Sequence, residues 1–387
     1  MKIAILLDEL YPFGMAATNR IHLYAKGYVE LGNDVEIIIP VITAKPEKIR
    51  NIKLAGEYDG VKFKYACNPV RSNYFIGRRI QNIVTLFNSF IFIICFKPKI
   101  ILVVANNFKY VLLMKICSLI SNAKIVREKS EVPFYMFEEI SKIKRIRTKI
   151  EFKLFDGLIV ISGALKDFFS KDLSLHTKLL EVPILIDSFK ASSDKTDLKT
   201  IKPNLVYTGS LCNDKDGVFI LIKAYARIIK EHQNVRLIMT GDLDESPDKE
   251  KILTLIDRLN IKGKVELPGY VSKEKLHELT STASALLLAK PESRQNRYNV
   301  ATKIGEYLLT GRPVIISSID PICRYLSHRE NAFIVEPDEY QVAQEIEFIL
   351  DNSKKADLVG LAGKEIALRL FDYKSHALRM NNFFKEL

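Results

Sequence analysis

The stretch RYNVATKIGEYLLTGRPVI, Arg297 to Ile315, puts a lysine and, three residues later, a glutamate at the start of an otherwise apolar helical segment. Gly311 and Pro313 supply the stop signals. A helix start offers unpaired backbone N–H groups and a positive dipole end, so the amides from about Val300 to Lys303 form an anion site. Lys303 adds a point charge beside it. Thr302, Lys303 and Glu306 fall on one helix face. A carboxylate accepts hydrogen bonds from two adjacent hydroxyls, the arrangement a ribose diol offers. The spacing therefore sets a diphosphate receptor and a diol receptor one helical turn apart. A plainer reading stands beside it: Glu306 complements the helix dipole and pairs with Lys303.

A second segment, YTGSLCNDKDGV, runs from Tyr207 to Val218 directly after an apolar run. Gly209 permits a tight strand-to-loop turn close to a ligand. Lys215 comes just before a helix expected to start around Asp216-Gly217, where it can neutralise charge growing on a departing diphosphate. It can equally be an exposed loop lysine.

Such residues need a scaffold, and short apolar runs alternating with amphipathic ones indicate parallel strands joined by crossover helices. Expected strands in the first half are 2–7, 35–39, 61–66, 100–105, 124–128, 157–161 and 178–182. Polar residues from Ser188 to Lys202 read as a linker. A fresh series follows at 204–209, 235–241, 264–269, 285–289, 314–317 and 332–336. Ser246-Pro247 and Ser272 read as helix starts, and three helical stretches close the chain after Glu339. The expected fold class is α/β, with two Rossmann-like doubly wound domains facing across a cleft at the carboxyl ends of their strands. The expected divisions are 1–188, a linker at 189–202, 203–368, and a C-terminal helix at 369–387 that packs back on the first domain.

Composition narrows the partners. The 387 residues carry a formal net charge of +12, which favours an anionic partner. Five scattered cysteines lack metal-ligand spacing, and no disulfide framework is expected. The start MKIAILLDEL is too short for a secretory core, and the apolar run 83–96 falls short of the roughly 20 residues of a spanning helix. A cytoplasmic protein is expected. Arg78, Arg79, Lys97 and Lys99 flank that run, and KIKRIRTKIEFK at 142–153 is basic, so a peripheral position on the inner face of a membrane competes with a buried crossover helix. No nucleic-acid motif accompanies the basic residues. Asp242-Leu243-Asp244 imitates a metal signature but lies at a turn, where aspartates make local hydrogen bonds. The six histidines show no ligand spacing, and no metal site or cofactor is expected. No GxGxxG follows the first strand, which argues against a dinucleotide enzyme.

GSLCNDKDGVFILIKAY, RLIMTGD, KVELPGYVSKEKL and TKIGEYLLTGRPVI, in that order, resemble the retaining glycosyltransferases of family 4, which have the GT-B fold. YPFGMAATNRIHLYAKGYVELGNDV, GLIVIS and EVPILID in the first half are similar to landmarks of the same family. The resemblance implies transfer of a sugar from a nucleoside-diphosphate donor, with UDP or GDP the expected carriers, to a saccharide or lipid-linked acceptor in polysaccharide or glycoconjugate assembly. It implies retained configuration and no metal. The acceptor's proton would pass to the leaving phosphate on the same face.

By position, the resemblance assigns the ribose to Glu306, the diphosphate to Lys215, and phosphate oxygens to the amides at Asn299, Val300, Ala301 and Thr302, beside Lys303. Gly269, Tyr270 and Val271 would lie along the base. Gly209, Ser210 and Gly241 complete the donor set, and Gly14 would let backbone approach the sugar. The family pattern is broken in places. Tyr298 replaces a glutamate eight residues before Glu306, Ser210 replaces an arginine for which Arg294 or Arg297 would substitute, and the first-half loop has one glycine rather than two. In place of a histidine that the family often has after the middle strand, REKSEVP offers Arg127, Glu128 and Glu131; either acid would contact the acceptor, although Glu128 equally suits a strand-end salt bridge. These departures leave open a weakly catalytic scaffold of a membrane-associated complex, and an epimerase or phosphorylase of the same fold.

Overall fold

A computed structural model describes residues 1–43, 49, 51, 53–133, 142–172, 177–188 and 203–387. The chain divides into two compact units: Met1–Leu185 with Tyr373–Leu387, and Ile186–Asp372.

Unit 1 is built on an eight-stranded sheet. Its elements are β1 (Lys2–Leu6), α1 (Ala16–Glu30), β2 (Asp34–Ile39), β3 (Ala55–Tyr58), β4 (Val61–Tyr65), α2 (Phe75–Phe96), β5 (Ile100–Val103) and α3 (Phe108–Ser121). They continue with β6 (Lys124–Lys129), α4 (Lys142–Phe152), β7 (Gly157–Val160), α5 (Gly163–Asp167) and β8 (Lys178–Glu181). The strand order is β3-β4-β2-β1-β5-β6-β7-β8, parallel except for β3, which pairs antiparallel with β4. Unbroken runs such as Ile3–Leu6 and Ile100–Val103 are buried because helices cover both faces of a parallel sheet. One core cluster gathers Ile3, Ile5, Tyr24 and Tyr28 with Ala377, Met380, Phe383 and Phe384 of the C-terminal helix. The other gathers Ala4, Ile101 and Val103 with Ile93 of α2 and Val111, Met114 and Cys117 of α3.

Unit 2 is built on a six-stranded, wholly parallel sheet in the order β11-β10-β9-β12-β13-β14. The chain runs β9 (Asn204–Thr208), α6 (Asn213–Asp216), α7 (Val218–Ile228), β10 (Arg236–Thr240), α8 (Lys249–Arg258), β11 (Val265–Glu266), α9 (Lys273–Ser281) and β12 (Ala285–Leu288). It continues with α10 (Arg294–Tyr298), α11 (Lys303–Leu309), β13 (Val314–Ser317), β14 (Phe333–Val335), α12 (Glu339–Asp351) and α13 (Ser353–Leu370). Then α14 (Tyr373–Lys385) returns to unit 1. The order reverses between β9 and β12, which makes a topological switch point there.

Several elements differ from the sequence expectation. The edge strand β3, only four residues and largely exposed, has too little apolar pattern to be read. The run 264–269 shortens to two residues, Val265–Glu266, with Pro268 and Gly269 just beyond. Ser246 does not cap a helix: its hydroxyl donates to the Leu211 carbonyl at 2.7 Å, and α8 starts at Lys249. Ser272 does cap α9, accepting from the Lys275 amide at 3.2 Å. The apolar run in the first half extends upstream to Phe75, so α2 has 22 residues and is long and apolar enough to cross a membrane by length and composition alone. The segment 189–202, read as a linker, lies outside the described residues.

Candidate functional site in unit 2

Of the residues nominated from sequence, Gly209, Ser210, Lys215, Arg294, Arg297 and 299–306 lie after β9 and β12 at the switch point, and Gly241 and 269–271 lie after β10 and β11. Two buried contacts tie the segments after β9 and β12 together. The Lys303 ammonium sits 2.7 Å from Asp216 Oδ2, and Asn296 Nδ2 donates to the Asp214 carbonyl at 3.1 Å. Tyr207, whose ring lies beneath the Lys303 ammonium, donates its hydroxyl to the same Asp216 oxygen at 2.6 Å. Burial works to raise the Asp216 carboxyl, but Lys303 and the Tyr207 hydroxyl outweigh it and the net direction is down. Burial is also the main influence on Lys303, pushing its ammonium down against the pull of Asp216. Lys303 is thus a locked structural cation whose charge is answered by Asp216, not the open point charge that the sequence suggested.

This arrangement explains Gly209. A methyl group there would stand 2.2 Å from the Lys303 Nζ and 2.4 Å from the Tyr207 hydroxyl, so the missing side chain makes room for the lysine. Gly241, at φ +139°, brings its backbone so close to the Gly209 carbonyl that a Cβ would meet that oxygen at 1.9 Å. Gly209 donates to the Thr240 carbonyl at 3.1 Å, and Gly241 to that of Gly269 at 2.9 Å. The three glycines therefore form a continuous backbone rim along the ends of β9, β10 and β11. Tyr270, next on this rim, is 65% exposed.

A second buried ion pair holds the segment before α11. Lys290, at the end of β12, donates to the carbonyls of Asn299 at 2.5 Å and Asn296 at 3.3 Å, and pairs with Asp320 Oδ2 at 2.9 Å. Asp320 also accepts the Ala301 amide at 3.3 Å and, through its other oxygen, the Ile322 amide at 3.0 Å. Of the amides expected to receive phosphate, those of Ala301 and Asn299 are therefore engaged, the latter with the Gln295 carbonyl at 2.9 Å. Among the described residues those of Val300 and Thr302 have no partner. The helix behind them, α11, is only seven residues long.

The loop expected to carry the arginines is instead the short helix α10, capped by the Ser293 hydroxyl. Arg297 pairs with Glu292 at the surface. Arg294 has no hydrogen-bond or ion-pair partner among the described residues, and neither has exposed Lys215 on α6. Glu306 points outward on α11 and is exposed. Ser210 is exposed at the end of β9, Val271 is half-buried beyond β11, and Tyr298 closes α10 half-buried. Asp242 accepts the Asp244 and Glu245 amides at 3.0 and 3.3 Å, the local turn bonding that its position implied.

In unit 1 the nominated residues do structural work. Glu128 is buried, accepting from Arg20 Nε at 3.0 Å and from the Ser130 hydroxyl at 2.7 Å, while Arg20 also donates to the Val182 and Pro183 carbonyls. This is the salt-bridge reading of Glu128. Gly14 leaves room for the Thr18 hydroxyl, which donates to the Leu10 carbonyl at 2.9 Å. Glu131 is half-buried past the end of β6. Near it Arg127 of the same REKSEVP stretch joins a group that sequence reading missed, Asp8, Asn106 and Lys129, from the ends of β1, β5 and β6. Burial and the Arg127 charge push the Lys129 ammonium down to about 8.

The comparisons with known proteins bear on this geometry. Sucrose-phosphate synthase from Thermosynechococcus elongatus superposes with a TM-score of 0.77 at 16% identity, over 100% of this chain and 98% of that one. Anabaena HepE in complex with UDP-glucose superposes at 0.72 and 16% identity, over 100% of both chains. The chain has the GT-B fold. Residues 202–352, which hold all the candidate site residues of unit 2 from Tyr207 to Asp320, match the family model described as glycosyl transferases group 1. An uncharacterized glycosyltransferase of Methanocaldococcus jannaschii is 26% identical over 236 residues. The match covers 56% of this chain and 56% of that relative, so the chain spans about half the length of the curated protein it matches. The stretch of unit 2 that resembles group 1 glycosyltransferases includes both locked ion pairs and, among the described residues, the unpaired Lys215 and Arg294.

Proposed function

We propose that the protein transfers a sugar from a nucleoside-diphosphate-sugar to a hydroxyl of a saccharide or lipid-linked acceptor, with retained configuration and without a metal ion. The observation that carries this reading is the division of charge at the β9–β12 switch point. Two cations, Lys303 and Lys290, are locked into buried pairs that set the loops, and two more, Lys215 and Arg294, are left to meet a ligand. Exposed Glu306 accompanies them as an acceptor-only group suited to a ribose diol.

In this reading Lys215 and Arg294 neutralise the diphosphate, the work a divalent ion does in other sites, and the Val300 and Thr302 amides receive phosphate oxygens. The bond from the anomeric carbon to the phosphate oxygen breaks as the acceptor oxygen bonds on the same face. The acceptor's proton passes to the departing phosphate oxygen. No protein nucleophile is needed. The glycine rim at Gly209, Gly241 and Gly269 lets the base lie against backbone, with Tyr270 beside it. HepE was crystallised with UDP-glucose, which supports a uridine donor over the guanosine alternative for this chain. The acceptor belongs to polysaccharide or glycoconjugate assembly, and the protein works in the cytoplasm.

A thermal-shift series with UDP, GDP and ADP tests the donor, followed by assays of the matching nucleotide-sugars. Stabilisation by one nucleotide diphosphate, lost in Glu306→Ala, is expected. The absence of stabilisation by all three, or slow donor hydrolysis that survives both Glu306→Ala and Lys215→Ala, would sink the assignment.

A further inference from the structure

In unit 1, α2 is amphipathic the wrong way round for a helix that only covers a sheet. Its inward face carries Thr85 and Ser89, both fully buried. Each hydroxyl is satisfied within the helix, Thr85 on the Gln81 carbonyl at 2.6 Å and Ser89 on the Thr85 carbonyl at 2.7 Å. Its outward face carries Phe75, Ile76, Ile80, Ile83, Val84 and Phe87, with Ile76 at 71% and Ile83 at 66% exposure. At 3.6 residues per turn these six positions share an arc of about 180°. Only the last turns of α2, around Ile93, join the core.

The neighbouring crossover helix repeats the pattern. α3 packs beside α2 on the same face of the sheet and turns Phe108, Leu112, Ile116, Leu119 and Ile120 outward. Two adjacent helices thus present apolar stripes to solvent, a surface larger than a lone monomer ordinarily tolerates.

The charge around this face names what covers it. From Gly60 to Arg127 the sequence has no Asp or Glu, and eleven Lys and Arg. Arg79 lies on the outward side of α2 with its guanidinium 4.6 Å from the Phe75 ring centroid, and exposed Lys109 shares the outward side of α3. The acids beside the end of α2, Asp34 and Glu36, are answered by Lys62 and Lys64 of β4, and the two helices themselves carry Arg78, Arg79, Lys109 and Lys115 and no acid. A face that is apolar at its centre, on helices whose charges are all cationic, complements an anionic lipid surface. A second copy of the chain would bring like charges together.

We infer that the outward faces of α2 and α3 form a docking surface for an anionic bilayer, with both helices lying in the plane of the interface. Because the C-terminal turns of α2 are held in the core of unit 1, the helix lies on the membrane and does not cross it. Phe75, Ile83 and Phe87 enter the acyl boundary, while Arg79 and Lys109 meet the headgroups. The inference does not depend on the chemistry assigned to unit 2, since its readout is lipid binding alone.

The sequence contains no Trp, so Phe87→Trp in the full chain gives a clean reporter. With vesicles of equal parts phosphatidylglycerol and phosphatidylcholine its emission should shift to the blue, and the protein should co-sediment until salt is added. Pure phosphatidylcholine should do neither. Ile83→Glu/Phe87→Glu should abolish co-sedimentation, and Leu119→Glu/Ile120→Glu repeats the test on α3 if the first variant fails to fold. Arg79→Gln/Lys109→Gln should weaken binding roughly 30-fold, about fivefold for each basic side chain at an anionic surface. Failure of the folded wild type to bind, or binding indifferent to all these variants, would overturn the inference. So would a dimer in solution that Ile83→Glu/Phe87→Glu dissolves, because the face would then belong to a second copy.

Discussion

The helices α2 of unit 1 and α7 of unit 2 are both apolar crossover helices on parallel sheets, yet they dispose of their apolar residues in opposite ways. α7 buries Val218, Leu221, Ile222, Tyr225 and Ile228, and α12 packs along it. α2 buries Thr85, Ser89 and Ile93 and turns Phe75, Ile76, Ile80, Ile83 and Phe87 outward. The contrast extends to charge. Unit 2 sinks Lys290, Lys303, Asp216 and Asp320 into paired positions behind its strand ends, while the two helices of the apolar face in unit 1 carry Arg78, Arg79, Lys109 and Lys115 and no acid. One unit fixes its loops with buried ion pairs. The other keeps a face open.

The largest expected effect breaks the locked pairs of unit 2. Asp216→Ala leaves the Lys303 ammonium buried and unanswered, which should cost about 3–5 kcal/mol in urea unfolding and leave vesicle binding unchanged. The same pair fixes an acid limb. Asp216 has its carboxyl held below the ordinary Asp range in the folded protein, so its contribution is present at neutral pH and above, and fades as pH falls through that depressed value. Asp216→Ala should therefore flatten the acid side of the stability profile. An unchanged profile would show that the pair does not hold the loops.

Next, Leu221→Ala in α7 should cost about 2–5 kcal/mol by opening a cavity in the core, as read from denaturant midpoints. Lys215→Ala should lower kcat about 100-fold with little change in thermal stability, because charge grows on the leaving phosphate only in the transition state. A rise in KM alone would reassign Lys215 to ground-state binding. Glu306→Ala should weaken nucleotide binding about tenfold, as measured by calorimetry, through loss of a charged hydrogen-bond acceptor. At the small end, Ile83→Ala in α2 should stay within about 0.5 kcal/mol of wild type in solution. A loss there as large as that of Leu221→Ala would mean that the outward face of α2 is covered, and the comparison between the helices would fall.

Much of the candidate site was legible because it lies at strand ends. Gly209, Lys215, Gly241 and Glu306 follow apolar runs whose length and spacing mark parallel strands, and the loops after them must meet at the carboxyl edge of the sheet. What escaped was pairing. Asp216 reads as a helix-start residue and is 2% exposed; Lys290 and Asp320 read as loop residues and form a buried pair thirty positions apart. No local spacing announces such pairs, since the partners arrive from different loops. Lys303 was consequently read as a ligand cation, and Gly209 as making room for a ligand when it makes room for that lysine.

The sequence alone determined the two α/β units, the strand runs, and the positions where loops carry cations, because periodicity and punctuation act over a few residues. It also marked the apolar run 83–96 with its basic flanks, though not the extent of α2 back to Phe75. Only the tertiary structure decided which stripe of α2 faces the sheet, since both stripes satisfy a helix and only the neighbouring core, filled by Ile93, Val103 and Met114, selects one. It likewise decided which charges are answered and which remain open. Burial and Coulomb attraction depend on distance in space, and a linear order of residues does not contain that distance.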